Sequence, residues 1–283
     1  MAGSYIAYDN LVTDSNVALA GGTVTAGSLA NLGVRQLSKV VQLKATAGSV
    51  PVIDIHIGSG AANYFNMIGI INANYDVNGS SPYPYDVIVH QSPDGSSYSF
   101  LGHTDNANDF SVKGVPKVNF FYLLDTPATY EYIRLYLSWQ QTDGFWQFGR
   151  LWIGNAIYLP NGIEKEYTFG KTDDGKLSLS RGGQAYASKG KVKRTLTVSA
   201  RVDLEQAFGF TEGALSATYT PNFDAMGFEA GLTSEIIVLP RTSSNLLTRR
   251  QGIYGHYPGG KGPTIRSLPG DNYQVEFEIE EEN

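Results

Sequence analysis

The chain has 283 residues, a formal net charge of −6, 42% hydrophobic and 17% charged residues, and no cysteine. Without cysteine there is no disulfide framework, thiolate metal site or cysteine nucleophile, and the acidic balance argues against a general nucleic-acid binder. The 32 glycines and 18 tyrosines fit many short strands joined by glycine-rich turns and exclude a helical bundle.

Residues 1–45 are rich in Ala, Gly, Ser and Asn with weak periodicity, and read as an irregular lead-in. No basic stretch followed by an apolar one opens the sequence, which predicts no secretory signal. No apolar run approaches the roughly 20 residues that a bilayer span requires. The expectation is a soluble protein made in a reducing cytosol.

The first firm strand is VPVIDIHIG (50–58), with Ile53, Ile55 and Ile57 on one face and Asp54 and His56 on the other, because side chains alternate with period two. YFNMIGIINANY (64–75) is a second strand. YDVIVHQSPDGSSYSFLGH (85–103) is a hairpin in which Val87 and Val89 share one face and Ile88 and His90 the other. Ser92-Pro93-Asp94-Gly95 supplies its turn chemistry. VNFFYLLD (118–125), YEYIRLYLSW (130–139) and FWQFGRLWIG (145–154) complete a group of short strands whose spacing predicts a sandwich or jelly roll.

Pro160-Asn161-Gly162 punctuates a change in pattern, which divides the chain into 1–157 and 158–283. Beyond it, KTDDGKLSLSRGG reads as a hairpin arm with its turn at Asp173-Asp174-Gly175. KRTLTVSARVDL (193–204), SEIIVLP (234–240) and NYQVEFEIEEEN (272–283) read as strands, and TSSNLLTRRQ (242–251) as a helix capped by Thr242 or Ser243. The fold class expected is all-β, with at most one or two short helices.

Several motifs bear on chemistry. Asn74, Asp76, Asn78 and Gly79 have the opening spacing of a calcium loop, but position 12 is Tyr85 where a bidentate carboxylate is required. A polar turn accounts for them, and they stay a weak metal candidate. GHYPGGKG (255–262) lacks the Ser or Thr and the following helix of a phosphate loop. His56, His90, His103 and His256 are too far apart for a zinc site and have no evident nucleophile partner. The sequence calls for no cofactor and no catalytic residue. Tyr83, Tyr85, Tyr98, His103, Phe145 and Trp146 flank loops of the first part, with Trp139 beside them. Trp139 and Trp146 suit core or sheet packing and the exposed tyrosines suit subunit contacts, the commoner uses; stacking on sugar rings is the alternative. Lys189, Lys191, Lys193 and Arg194 form a basic cluster that suits either the acidic 276–282 end of a neighbouring subunit or an ordinary solvated face.

YDVIVHQSPDGSSYSFLG, TYEYIRLYL with Tyr132 and Arg134, RLWIG, and VIDIHIG with Asp54 displaced together resemble a discoidin-like (galactose-binding-like, F5/8 type C) domain over roughly residues 5–157. The resemblance implies a β-sandwich there. The second part, from GRLWIGNAIYLPNGIEKEY to YGHYPG and the acidic last strand, resembles tail-tip or baseplate proteins of long-tailed bacteriophages. That second resemblance implies a structural virion protein, assembled in the host bacterial cytoplasm into a homo-oligomeric ring with other tail proteins. A module that binds a cell-surface glycan is the alternative.

Overall fold

The computed structural model describes residues 3–46, 49–58, 64–75, 86–103, 118–138, 145–163, 167–173, 175–179, 185–188, 190, 192–211, 214–215, 221–230, 234–242, 251–270 and 272–282. Among the described residues the protein is all-β, with three large sheets that stack as layers and two small two-stranded ones. The front sheet has five strands in the order Val17–Gly21, Val52–His56, Tyr132–Ser138, Asp86–Ser92, Ser99–His103. The six-stranded middle sheet is organised around the long strand Phe65–Tyr75, flanked on one side by Val118–Ala128 and on the other by Arg150–Gly154 and Phe145–Phe148. Val41–Lys44 and Thr23–Gly27 continue it to an edge. The front and middle sheets form a sandwich.

Alternation decides what each sheet buries. Ile53, Ile55, Val87, Val89, Ile133, Leu135 and Leu137 of the front sheet meet Leu43, Ile68, Ile70, Trp146, Phe148 and Ile153 of the middle one. Positions 65–73 of this middle-sheet strand are buried on both faces, which their largely apolar run allows. Phe65, Ile68, Ile70 and Ala73 enter the sandwich core, whereas Met67 and Ile71 point the other way. The register against Val118–Ala128 slips between Phe65 and Met67 and between Ile70 and Ala73, and Asn72 has φ 57°. The slip between Ile70 and Ala73 adds one residue to Phe65–Tyr75, and that between Phe65 and Met67 adds three to the partner strand; an odd shift moves the following side chains to the opposite face.

The eight-stranded back sheet runs Ala156–Leu159, Ser4–Ala7, Ile236–Leu239, Ile253–His256, Asn272–Glu281, Val192–Val202, Thr168–Asp173, with Thr264–Leu268 also on Asn272–Glu281. Ser4–Ala7 is therefore flanked on both sides, against the irregular lead-in expected of 1–45, which also contains strands Val17–Gly21, Thr23–Gly27 and Val41–Lys44. The length of these strands, four or five residues each, hides their period. The 157/158 division falls inside Ala156–Leu159. Tyr5, Ala7, Ile237, Leu239 and Tyr254 pack on Met67, Ile71 and Trp152, joining the back sheet to the sandwich. Its other face carries Ile6, Val198, Val238, Phe277 and Ile279 under two short helices.

Those helices, Leu204–Phe208 and Phe223–Glu229, do not coincide with the expected one; positions 243–250 lie outside the described residues. The first continues directly from strand Val192–Val202, and its start was written in the sequence as Asp203-x-x-Gln206. Asp203 accepts from the Gln206 N–H at 2.8 Å while the Gln206 side chain accepts from the Asp203 N–H at 3.3 Å, a reciprocal capping box. Gly209, at φ 73°, ends it in the left-handed conformation.

Thr168–Asp173 and Val192–Val202 begin an exposed two-stranded ribbon, continued by Lys176–Leu179 paired with Ala185–Ser188. The pairing thus continues past Asp173 and Gly175, where the turn was expected; Asp174 and 180–184 lie outside the described residues. The basic cluster is corrected as well. Lys193 pairs with Glu280 at 2.6 Å and Arg194 with Glu281 in the same chain, because Val192–Val202 lies beside Asn272–Glu281. Lys189 and Lys191 lie outside the described residues.

Candidate functional site

The sequence makes the front sheet amphipathic, and its outward half is unusual in composition. Three neighbouring strands supply it: Val52–His56, Tyr132–Ser138 and Asp86–Ser92. Register places His56, Tyr132 and Ser92 on one rung, Asp54, Arg134 and His90 on the next, and Val52, Tyr136 and Ile88 on the third. Phe100 stands opposite His90 on the outer strand.

At the centre Arg134 donates from Nε to Asp54 Oδ1 at 2.6 Å and from Nη2 to Asp54 Oδ2 at 2.7 Å. This fork geometry is the strongest form of the pair. The Asp54 carboxylate beside it holds the guanidinium above its ordinary range. The Tyr98 ring lies under Arg134, with Cζ 3.7 Å from the ring centroid, a cation–π contact. Burial, followed by the Asp54 charge, raises the Tyr98 phenol. His56 and Tyr132 stack at 4.3 Å with an interplanar angle of 5°, and His56 Nε2 is 4.0 Å from Glu131 Oε2. His90 sits between Tyr136, 4.9 Å away, and the edge of Phe100, 5.9 Å away. Phe100 is 60% exposed. The result is an aromatic floor with a fixed carboxylate–guanidinium pair in it.

The hairpin tip borders this floor. Ser92 Oγ accepts from the Gly95 N–H at 3.0 Å, and the Asp94 carboxylate accepts from the backbone and side chain of Ser96 and the N–H of Ser97. Those bonds, the Ser96 N–H first, hold the Asp94 carboxyl well below the usual carboxylate range. The serines are there to satisfy the turn. Gly95 has φ 72°, and a Cβ on it would meet the Tyr132 ring at 2.9 Å. The tip therefore lies close against Tyr132.

Burial and then the nearby Arg134 charge push His90 below its ordinary value. Its folded pKa lies under the unfolded one, so the native state resists protonation; the associated stability is present above pH ~6.5 and lost as pH falls through the folded value. NMR titration should show the His90 midpoint below ~6.5, moving only part-way up in Arg134→Gln because burial remains. A midpoint unmoved by Arg134→Gln would remove the charge contribution.

Of the residues singled out from the sequence, Tyr98 belongs to this face. Trp146 does not: it is fully buried between the sheets, 5.8 Å from Phe120, which makes it a core residue and removes it as a glycan or subunit contact. Phe145 is half-buried in the middle sheet opposite Lys44, away from Tyr98. His103 ends strand Ser99–His103 opposite Ile88, and its side chain lies outside the described residues. Tyr83, Tyr85, Trp139, Asp76, Asn78 and the Asn74 side chain are outside them too, so the calcium-loop candidate is not placed. Among the described residues no group of three or more His, Asp and Glu is arranged to hold a metal ion, and no helix is long and apolar enough to cross a membrane. Sequence reasoning missed His56, Asp54, Tyr132, Arg134, Tyr136, His90 and Phe100 as one surface. Alternation gave each its face, but the order of the strands was not visible.

No protein-family model matches the chain, and no curated protein matches it. Solved structures do. A family 32 carbohydrate-binding module from C. perfringens NanJ, in complex with galactose, is 11% identical, with 54% of this chain and 98% of that one covered and a TM-score of 0.36. A chitosan-binding module from a chitosanase/glucanase of Paenibacillus sp. IK-5 is 11% identical, covering 52% and 98%, with a TM-score of 0.37. The family 32 module of AlyQ, in complex with 4,5-unsaturated mannuronic acid, is 15% identical, covering 52% and 95%, with a TM-score of 0.36. At these values no residue role passes from them to this chain.

Proposed function

We propose that the protein is a non-catalytic glycan-binding protein whose binding surface is the outer face of the front sheet. The observation that carries this reading is the set of rungs itself: the His56–Tyr132 stack and the exposed Phe100 flank the bidentate Asp54–Arg134 pair on one sheet face. Aromatic faces cover the apolar C–H face of a pyranose ring, and charged groups with spare lone pairs and N–H donors grip its hydroxyls. Asp54 and Arg134 hold each other in place, so the polar part of the surface is set before a ligand arrives.

Glycan-array screening followed by calorimetry tests it, with galactose and 4,5-unsaturated mannuronic acid, the sugars in two of the solved modules above, included as probes. Tyr132→Ala or Phe100→Ala should each weaken binding by about tenfold or more, the effect of losing a stacking face. No retained glycan, or binding indifferent to both substitutions, overturns the reading.

A second reading, a structural subunit of a bacteriophage tail tip or baseplate, follows from the short-motif resemblance. The exposed ribbon of the back sheet is the feature that suits an assembly role. Co-purification with tail proteins from a phage lysate is its test.

A further inference from the structure

Thr168–Asp173 ends the back sheet. Among the described residues it pairs on one side only, with Val192–Val202. A strand half-covered by a sheet should show alternating burial, yet five of its six residues are exposed and the sixth, Gly170, is partly so. Phe169 is 39% exposed and packs edge-on against Tyr167, 5.4 Å away. Tyr167, Phe169, Lys171 and Asp173 share one face by alternation. Across the existing pairing Lys171 stands opposite another cation, Arg194, and Asp173 opposite Val192. Neither charge has an opposite one directly across the ladder, although like charges opposite each other are unfavourable. Arg194 is already engaged by Glu281. The charges on this edge suit a strand on its other side.

We propose that this edge pairs antiparallel with the same edge of a second copy of the chain, across a two-fold axis at Thr172. A two-fold interface requires a self-complementary patch, and the segment has one. With Thr172 on the axis, Lys171 of each copy stands opposite Asp173 of the other, twice. A slip of one residue places Lys171 opposite Thr172 and Asp173 opposite Gly170, so the charges select the register. Edge strands with unpaired N–H and C=O groups are ready templates for such pairing. This dimer is independent of the glycan reading, since the front sheet takes no part in it.

Sedimentation velocity of the full chain across a concentration series should show a reversible monomer–dimer equilibrium. Lys171→Asp alone sets two aspartate pairs face to face, and Asp173→Lys alone sets two lysine pairs; each should weaken self-association by about tenfold or more. Mixed together, the two variants have both pairs restored and should form a heterodimer near wild-type strength. That mixing result separates charge register from any general damage, because a misfolded variant does not recover on mixing. A wild-type chain that stays monomeric, a dimer unmoved by either substitution, or variants that fail to combine each overturns the proposal.

Discussion

Glu235→Ala should unfold about 3–5 kcal/mol more easily than the natural chain, the range for breaking a buried ion pair from one side. Glu235 and Arg150 are 9% and 4% exposed. Arg150 donates from Nε to Glu235 Oε2 at 2.9 Å and from Nη2 to Oε1, while its Nη1 donates to the Leu32 carbonyl at 2.8 Å. Asn10 Nδ2 adds a bond to Oε2 at 3.3 Å. Arg150 belongs to the middle sheet, and Glu235 immediately precedes a strand of the back sheet, so the pair joins two layers. Removing the carboxylate strands a guanidinium where water cannot reach it, and that desolvation dominates the loss. The neighbouring Tyr254 phenol, raised by burial first and by the Glu235 charge second, should ionise more readily in the variant. In Arg150→Met/Glu235→Leu both charges leave together, and much of the stability should return. Urea midpoints compared at equal slope measure both. A double variant as damaged as the single one would show that the pair itself, and not the orphaned charge, carries the stability.

Trp146→Ala should cost a similar amount, about 3–5 kcal/mol for a fully buried indole. The ring is 0% exposed and sits among Val41, Leu43, Phe120 and Phe148 at the centre of the sandwich. Tyr132→Ala, on the outward face, should change stability by no more than about 1 kcal/mol, since surface changes away from the core are small. The contrast separates the two kinds of aromatic residue in this chain. Urea unfolding gives the stability change and calorimetry with a retained glycan gives the affinity. Loss of binding in a still-folded Tyr132→Ala, with loss of fold in Trp146→Ala, is the expected pattern; equal stability losses would place Tyr132 in the structural core.

How much was legible depended on whether the physics was local. The alternation of Ile53, Ile55, Val87, Val89, Ile133 and Leu135 named both the strands and the buried faces, because period two requires no knowledge of neighbours. The Ser92–Gly95 turn was equally local. Ser4–Ala7 was not legible: its four residues are all buried, so no polar–apolar alternation marked it, and its partners come from beyond residue 155. Trp146 could be set on a strand but not on a face, since Phe145-Trp146-Gln147-Phe148 has an aromatic on both. The candidate site failed to show for a further reason. Asp54, Arg134 and His90 meet only because Tyr132–Ser138 inserts between Val52–His56 and Asp86–Ser92. Spatial order of strands is a property of the whole core, and no window of sequence contains it. The Asp203–Gln206 cap, by contrast, was readable and would have placed the first helix.

The position of Ser4–Ala7 also sets an order in time. The front and middle sheets draw all their strands from residues 17–154, and they close with contacts made along the way. Ser4 Oγ, however, donates to the Pro240 carbonyl, 236 residues later, and Ile6 pairs with Val238. Domains assemble as the chain emerges, and contacts between distant residues form late. Although it precedes the sandwich strands in sequence, Ser4–Ala7 is expected to be seated after them, once Ile236–Leu239 is there to flank it.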